Sequence, residues 1–280
     1  MRWIKNEYLA GAIRKIIWNR TQRTAWLFMA TISCALAVHS TTLIVIRRER
    51  QITVAGDSRT KYGTQGPTIK VCKIERLNGD VFFAGSGMVL DTRVDGYSAN
   101  EIALKGKPGT IAFRAAAFAE AIKGPLLQSA RWGRQNAPEA VYREFWGGSS
   151  AVVLNVVFVG MENRVASISA VDFTKIEDAQ GNPVRININI RSCRGSPCGD
   201  AEHALIISMG QTDAISNEIN SLLTGPGGLP VNDAKTARHL VEMEITDRPD
   251  KVGPPISIVQ IDNSGAHWID KGVCAQTNNR

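Results

Sequence analysis

The chain has 280 residues, 44% of them hydrophobic and 21% charged, at a mean hydropathy of −0.10. That balance describes a chain able to bury a core, and it excludes a disordered or fibrous protein and one that crosses a membrane many times. The net charge of +7 is unevenly placed: residues 1–40 hold six Lys or Arg against one acid, and residues 41–280 hold 27 against 25. A nearly neutral main body excludes an extended phosphate-tracking surface, so no nucleic-acid partner is expected.

The first forty residues have the layout of a signal or propeptide. A basic stretch over 1–24 precedes fourteen uncharged residues, AWLFMATISCALAV (25–38), and then His39-Ser40. At 1.5 Å per residue the apolar run reaches about 21 Å, short of a roughly 30 Å hydrocarbon core. A cleavable export segment is therefore expected, with a mature periplasmic or secreted domain over 41–280. Val38 and Ser40 suit a cut before Thr41, and Ala35 and Ala37 suit one before Val38. Three alternatives stand beside it. Residues 3–17 place Trp3, Ile4, Tyr8, Ile13, Ile16 and Ile17 along one face of a basic helix, which would lie on a membrane surface if the segment stayed uncut. A start at Met29 would leave a short propeptide on a cytoplasmic protein, and Cys34 sits where a lipoprotein cysteine would. Without Cys34 four cysteines remain, an even number suited to an oxidising compartment. Cys193 and Cys198 bracket a turn-forming Arg-Gly-Ser-Pro, and Cys72–Cys274 is the pair left by subtraction. No second Cys pair and no His at ligand spacing accompany them, so no metal or cofactor is expected.

Strands are expected over 41–48, 51–57, 69–77 and 81–87, the last two joined by a hairpin turn at Asn78-Gly79-Asp80. Residues 111–131 are Ala-rich and helical, with a break at Gly124-Pro125. A second strand group covers 151–160, 164–173, 183–190 and 204–210. Helices follow over 211–223 and, behind an Asn/Asp cap, over 232–245. The chain closes on strands at 254–262 and 266–270. This order reads as one α+β domain, helices packed on antiparallel sheets that lie back to back, with no repeat and no interdomain linker.

Three residues then stand out. Thr41, Asp57 and Lys73 follow one another at intervals of 16, each on a strand or just past one, directly behind the cleavable segment. A threonine exposed by cleavage carries its own base, because the free α-amine has a pKa of about 7.7–8 and can take the hydroxyl proton. A neighbouring ammonium, Lys73, would keep that amine neutral, and Asp57 would hold the lysine. No histidine is required: His39 lies in or beside the cleaved segment, and His203, His239 and His267 show no triad motif.

TTLIVIRRERQITVAGDSR, KVCKIERL and VFFAGSGMVLD resemble the proteasome β-subunit family, closest to the simpler bacterial ring peptidases. The resemblance covers most of 41–262 and is strongest in 41–91. It implies a four-layer αββα sandwich, an N-terminal nucleophile fold in which two antiparallel sheets lie between helices, and a threonine peptidase active as a homo-oligomeric ring. It assigns Thr41 as nucleophile and base, Lys73 as tuner of the amine, Asp57 as its holder, and the Gly87 N–H as oxyanion donor. Gly85 and Val89 would border the pocket for the side chain before the scissile bond, and Asp250 would be an auxiliary carboxylate. The sequence departs from the family where an auxiliary serine is expected. Ser208-Met209-Gly210-Gln211 lacks that hydroxyl or displaces it to Ser208, and Gly253-Pro254-Pro255 replaces a second one. Three readings therefore remain: a proteasome-like peptidase cleaving peptide bonds, a small-molecule amidase or acylase on the same scaffold, and a catalytically silent subunit. An envelope structural protein held by its N-terminal helix is a fourth, minor one.

Overall fold

The computed structural model describes residues 36–39 (backbone only), 41–62, 68–93, 95–194, 204–225 and 228–274. It is a mixed α+β protein with two sheets, paired antiparallel throughout their described ladders. The smaller sheet contains β2 (Thr42–Arg48), β3 (Gln51–Gly56), β11 (Leu205–Gly210), β12 (Ser257–Asp262) and β13 (Gly265–Asp270), in the order β11-β2-β3-β12-β13. The larger sheet runs β10-β9-β8-β7-β1-β4-β5. Its members are β1 (Leu36–His39), β4 (Arg59–Tyr62), β5 (Thr68–Lys70), β7 (Phe82–Asp91), β8 (Val152–Glu162), β9 (Val165–Glu177) and β10 (Pro183–Arg194), with β6 (Ile74–Arg76) on β7.

Strand alternation sends successive side chains to opposite faces. Along β2, Leu43 and Val45 meet Phe82, Ala84, Val157 and Ile168 of the larger sheet in one buried apolar cluster. Ile44 and Ile46 face the other way, against Ile215, Ala237, Leu240 and Val241. On the larger sheet, Phe83, Val156, Phe158 and Phe173 pack with Ile111, Phe118, Ile122 and Leu126 in a third cluster. The helices are α1 (Ala99–Leu104), α2 (Ile111–Asn136), α3 (Glu139–Trp146), α4 (Ser216–Thr224) and α5 (Asp233–Asp247).

Three local expectations need correction. The helix expected to break at Gly124-Pro125 runs unbroken to Asn136 with Pro125 inside it. Its buried stripe, Ile111, Ala115, Phe118, Ile122, Leu126 and Ala130, continues at helical spacing past the proline, so packing outweighs one lost backbone hydrogen bond. The strand expected over 69–77 is two short strands interrupted at Val71–Lys73. That interruption lets Cys72 form a disulfide with Cys274 and lets Lys73 turn inward. Helices α1 and α3 lie where none was expected. Ser98 caps α1 by accepting a hydrogen bond from the Glu101 N–H at 3.3 Å, a signature present in Ser98-x-x-Glu101.

The expected signal or propeptide lies outside the described residues, except that Leu36–His39 form β1. No helix among the described residues is long and apolar enough to cross a membrane. Cys193 is disulfide-bonded, and its expected partner Cys198 lies outside the described residues.

Candidate active site

Thr41 is fully buried where β2 begins, and Thr42 is hydrogen-bonded to the end of β11 through its hydroxyl, which donates to the Gln211 carbonyl at 2.8 Å. The Gln211 N–H donates to the Thr41 carbonyl at 2.7 Å. Gly210 sits at φ +85°, and a β-carbon there would fall 1.8 Å from the Thr41 carbonyl oxygen. Only glycine fits that approach.

Asp57 follows β3 and is the organising group. Its Oδ1 accepts from the Thr42 N–H at 3.0 Å and from Lys73 Nζ at 2.9 Å. Its Oδ2 accepts from the N–H groups of Arg59 at 3.0 Å and Gly253 at 3.1 Å. The two donors sharing Oδ1 lie within about 6 Å of each other, so the ammonium is held against the start of β2. Lys73 also donates to the Arg59 carbonyl at 2.5 Å. The structure therefore brings together Thr41, Asp57 and Lys73, residues 16 and 32 apart in sequence.

Lys73 is almost wholly buried, and desolvation pushes its pKa down to about 8 against the upward pull of Asp57. An unfolded lysine titrates near 10.4. Between about pH 8 and 10 the unfolded chain thus binds more protons at this site than the folded one. Lys73 therefore makes stability rise with pH across that window and adds no slope below it. Urea unfolding at pH 7 and pH 9.5 checks this: the wild type should gain more stability over the interval than Lys73→Met does.

Gly87 sits at φ +92°, and a β-carbon there would lie 2.4 Å from the Val153 carbonyl oxygen. It is paired across the ladder with His39 of β1. Gly85 and Val89 line a cavity of about 160 Å³ together with Val71, Cys72, Lys73 and Leu90. Five of the expected site residues thus have places at or beside the Thr41 region or this cavity wall, and Gly87 lies in the same β7 segment.

Asp250 is set apart. Its carboxylate is 69% exposed and faces Arg248 at 3.7 Å. The chain turns back after it, so it is Gly253, by its backbone N–H and carbonyl, that contacts Asp57 and Ser58. Ser208 pairs with Ile44 on the helix-facing side of the smaller sheet, the face opposite Thr41, so the displaced-hydroxyl expectation also finds no place at the site. Sequence reading missed Gly210, Gln211 and Gly253 as backbone partners of Thr41, Thr42 and Asp57. Among the described residues no group of His, Cys, Asp or Glu is arranged to hold a metal ion. The sequence matches no protein-family model and no curated protein.

Proposed function

We propose that the chain is the precursor of an N-terminal threonine hydrolase of proteasome-like type, exported and matured at Ser40–Thr41, that cleaves peptide or amide bonds. The observation that carries this reading is the placement of β1. The backbone leading to Thr41 is held as an antiparallel strand between β7 and β4, with Ala37 opposite both Leu90 and Tyr62 and His39 opposite Gly87. A peptide thus already lies beside Gly87 and runs to the buried threonine. Removing it would leave two strand edges ready for another extended peptide.

In the proposed reaction the freed Thr41 amine takes the Oγ proton as Oγ attacks the substrate carbonyl carbon. The resulting oxyanion is stabilised by the Gly87 N–H, a donor worth roughly 3–4 kcal/mol in such sites. The intermediate collapses, the C–N bond breaks, and the amine passes its proton to the leaving nitrogen. Water then attacks the Thr41 ester, giving one proton to the amine, which returns it to Oγ as the C–Oγ bond breaks; the carboxylic acid product departs and loses its own proton to solvent. Lys73, charged below about pH 8, keeps the terminal amine neutral by repulsion. The cavity, walled by Val71, Val89 and Leu90 together with Lys73, Ser98 and Asn100, would take the side chain before the scissile bond. The three apolar clusters, with one shared by the two sheets and one on each helix-bearing face, agree with a four-layer αββα sandwich. A homo-oligomeric ring belongs to the same reading.

The test is intact mass and N-terminal sequencing of the full-length protein expressed in an exporting host, followed by exposure to a peptide vinyl sulfone. The expected result is a chain beginning at Thr41 that gains one probe mass, with no gain in Thr41→Ala. A chain that keeps residues ahead of Thr41 and takes up no probe overturns the hydrolase and leaves the silent subunit.

A further inference from the structure

Thr41 Oγ and Ser86 Oγ belong to a small set of buried hydroxyls that have no hydrogen-bond partner among the described residues. A buried hydroxyl left in this state costs about 1–3 kcal/mol, and folded proteins concentrate such exceptions where a group has a task. What separates Ser86 from the other orphaned hydroxyls is its address. The β-carbon position at Gly210 lies 1.8 Å from the Thr41 carbonyl oxygen and 3.2 Å from Ser86 Cβ. Ser86 Cβ and the Thr41 carbonyl oxygen are therefore within about 5 Å of each other. Strand alternation agrees. Thr41 is two residues before Leu43, and Ser86 two after Ala84, and both Leu43 and Ala84 point into the cluster shared by the two sheets. Ser86 also immediately precedes Gly87, the residue opposite His39.

We infer that Ser86 is a positioning residue whose hydroxyl hydrogen-bonds to the polar head of Thr41 once the Ser40–Thr41 bond is cut. Its hydroxyl can accept from the freed amine and donate to Thr41 Oγ, fixing the orientation in which the amine takes the hydroxyl proton. Neither Gln211, which reaches Thr41 and Thr42 through backbone atoms, nor exposed Asp250 offers that hydroxyl. The inference rests on the hydrolase reading.

The experiment uses the mature protein, with vinyl sulfone labelling followed by intact mass between pH 5.5 and 9, for wild type, Ser86→Ala and Ser86→Cys. Expected for Ser86→Ala is an inactivation rate constant lowered about tenfold, as for loss of one hydrogen bond to a charged or reacting group. The half-maximal probe concentration should change less than twofold, and the acid limb of the pH profile should shift by half a unit or more. Thermal stability should stay level or rise, because an unpaired hydroxyl has been removed, and Ser86→Cys should fall between. An unchanged rate constant and pH profile in Ser86→Ala overturns the positioning role while leaving the hydrolase standing. A matching loss of rate and of thermal stability in both variants assigns Ser86 to the fold and overturns it too. If the wild type itself takes up no probe, the hydrolase reading falls and this inference with it.

Discussion

Replacing Cys72 and Cys274 together by alanine is expected to remove roughly 3–5 kcal/mol of stability. The bond joins residues separated by 202 positions, with Cα atoms 4.6 Å apart. In the chain-entropy account, closing so long a loop restricts the unfolded ensemble most. The bond also has a local task. Cys72 sits in the interruption between β5 and β6, next to Lys73, and lines the same cavity. Cys274 is buried beyond β13. Cutting the link frees the segment that aims Lys73 at Asp57, so activity should fall further than the folded fraction does. Urea unfolding monitored by far-UV circular dichroism checks the first part, and labelling per folded molecule the second. The double variant is cleaner than a reducing agent, because a thiol would also open the bond at Cys193. A loss below about 1 kcal/mol would show that the crosslink merely decorates a fold already closed.

Much of the smaller sheet and of the residues around Thr41 could be read from sequence because the information is local. Thr41 to Lys73 covers the β2–β3 hairpin and the β4–β5 pair beyond it; the strand signals there are local, and the family resemblance supplies the expectation that the three residues meet. The Asn232 cap on α5 was readable for the same reason, its side chain accepting from the Lys235 N–H at 2.9 Å. What was not legible depends on distant packing. Pro125 looks like a helix end until Ile122 and Leu126 on either side of it are both buried against the larger sheet. Leu36–His39 read as the tail of an apolar export segment, because nothing in LAVH says that β7 and β4 will take it up as a strand. Asp250 is a site residue only by the family resemblance, which the Gly253-Pro254-Pro255 that follows it already breaks. The backbone instead brings Gly253 to Asp57 and leaves the Asp250 carboxylate exposed. Ser86 carried a faint signal, a lone hydroxyl between Gly85 and Gly87, but its neighbour across the sheets is 45 residues earlier and depends on how the sheets stack.

The buried Asp57–Lys73 pair should respond asymmetrically to mutation, and the asymmetry separates scaffold from chemistry. Asp57→Asn is expected to cost about 3–5 kcal/mol, because it strands the Lys73 charge in a site where its side chain is 1% exposed. It also turns an amide N–H₂ toward one of the backbone donors, Thr42, Arg59 or Gly253, that the carboxylate now satisfies. Lys73→Met should cost no more than about 1 kcal/mol. The carboxylate keeps three backbone N–H groups, and the desolvation that depresses the lysine disappears. The double variant, Asp57→Asn with Lys73→Met, should recover part of the aspartate loss, giving a coupling of 1–3 kcal/mol in a double-mutant cycle. Activity must follow a different order. If the proposed hydrolase holds, Lys73→Met, nearly as stable as the wild type, should be labelled by the vinyl sulfone at least a hundredfold more slowly at pH 7, since the freed Thr41 amine would lose the positive charge that keeps it neutral. A stable Lys73→Met that labels at the wild-type rate would reduce the pair to a structural buttress for β2. A severe stability loss in Lys73→Met would mean that the three backbone donors cannot hold the carboxylate alone.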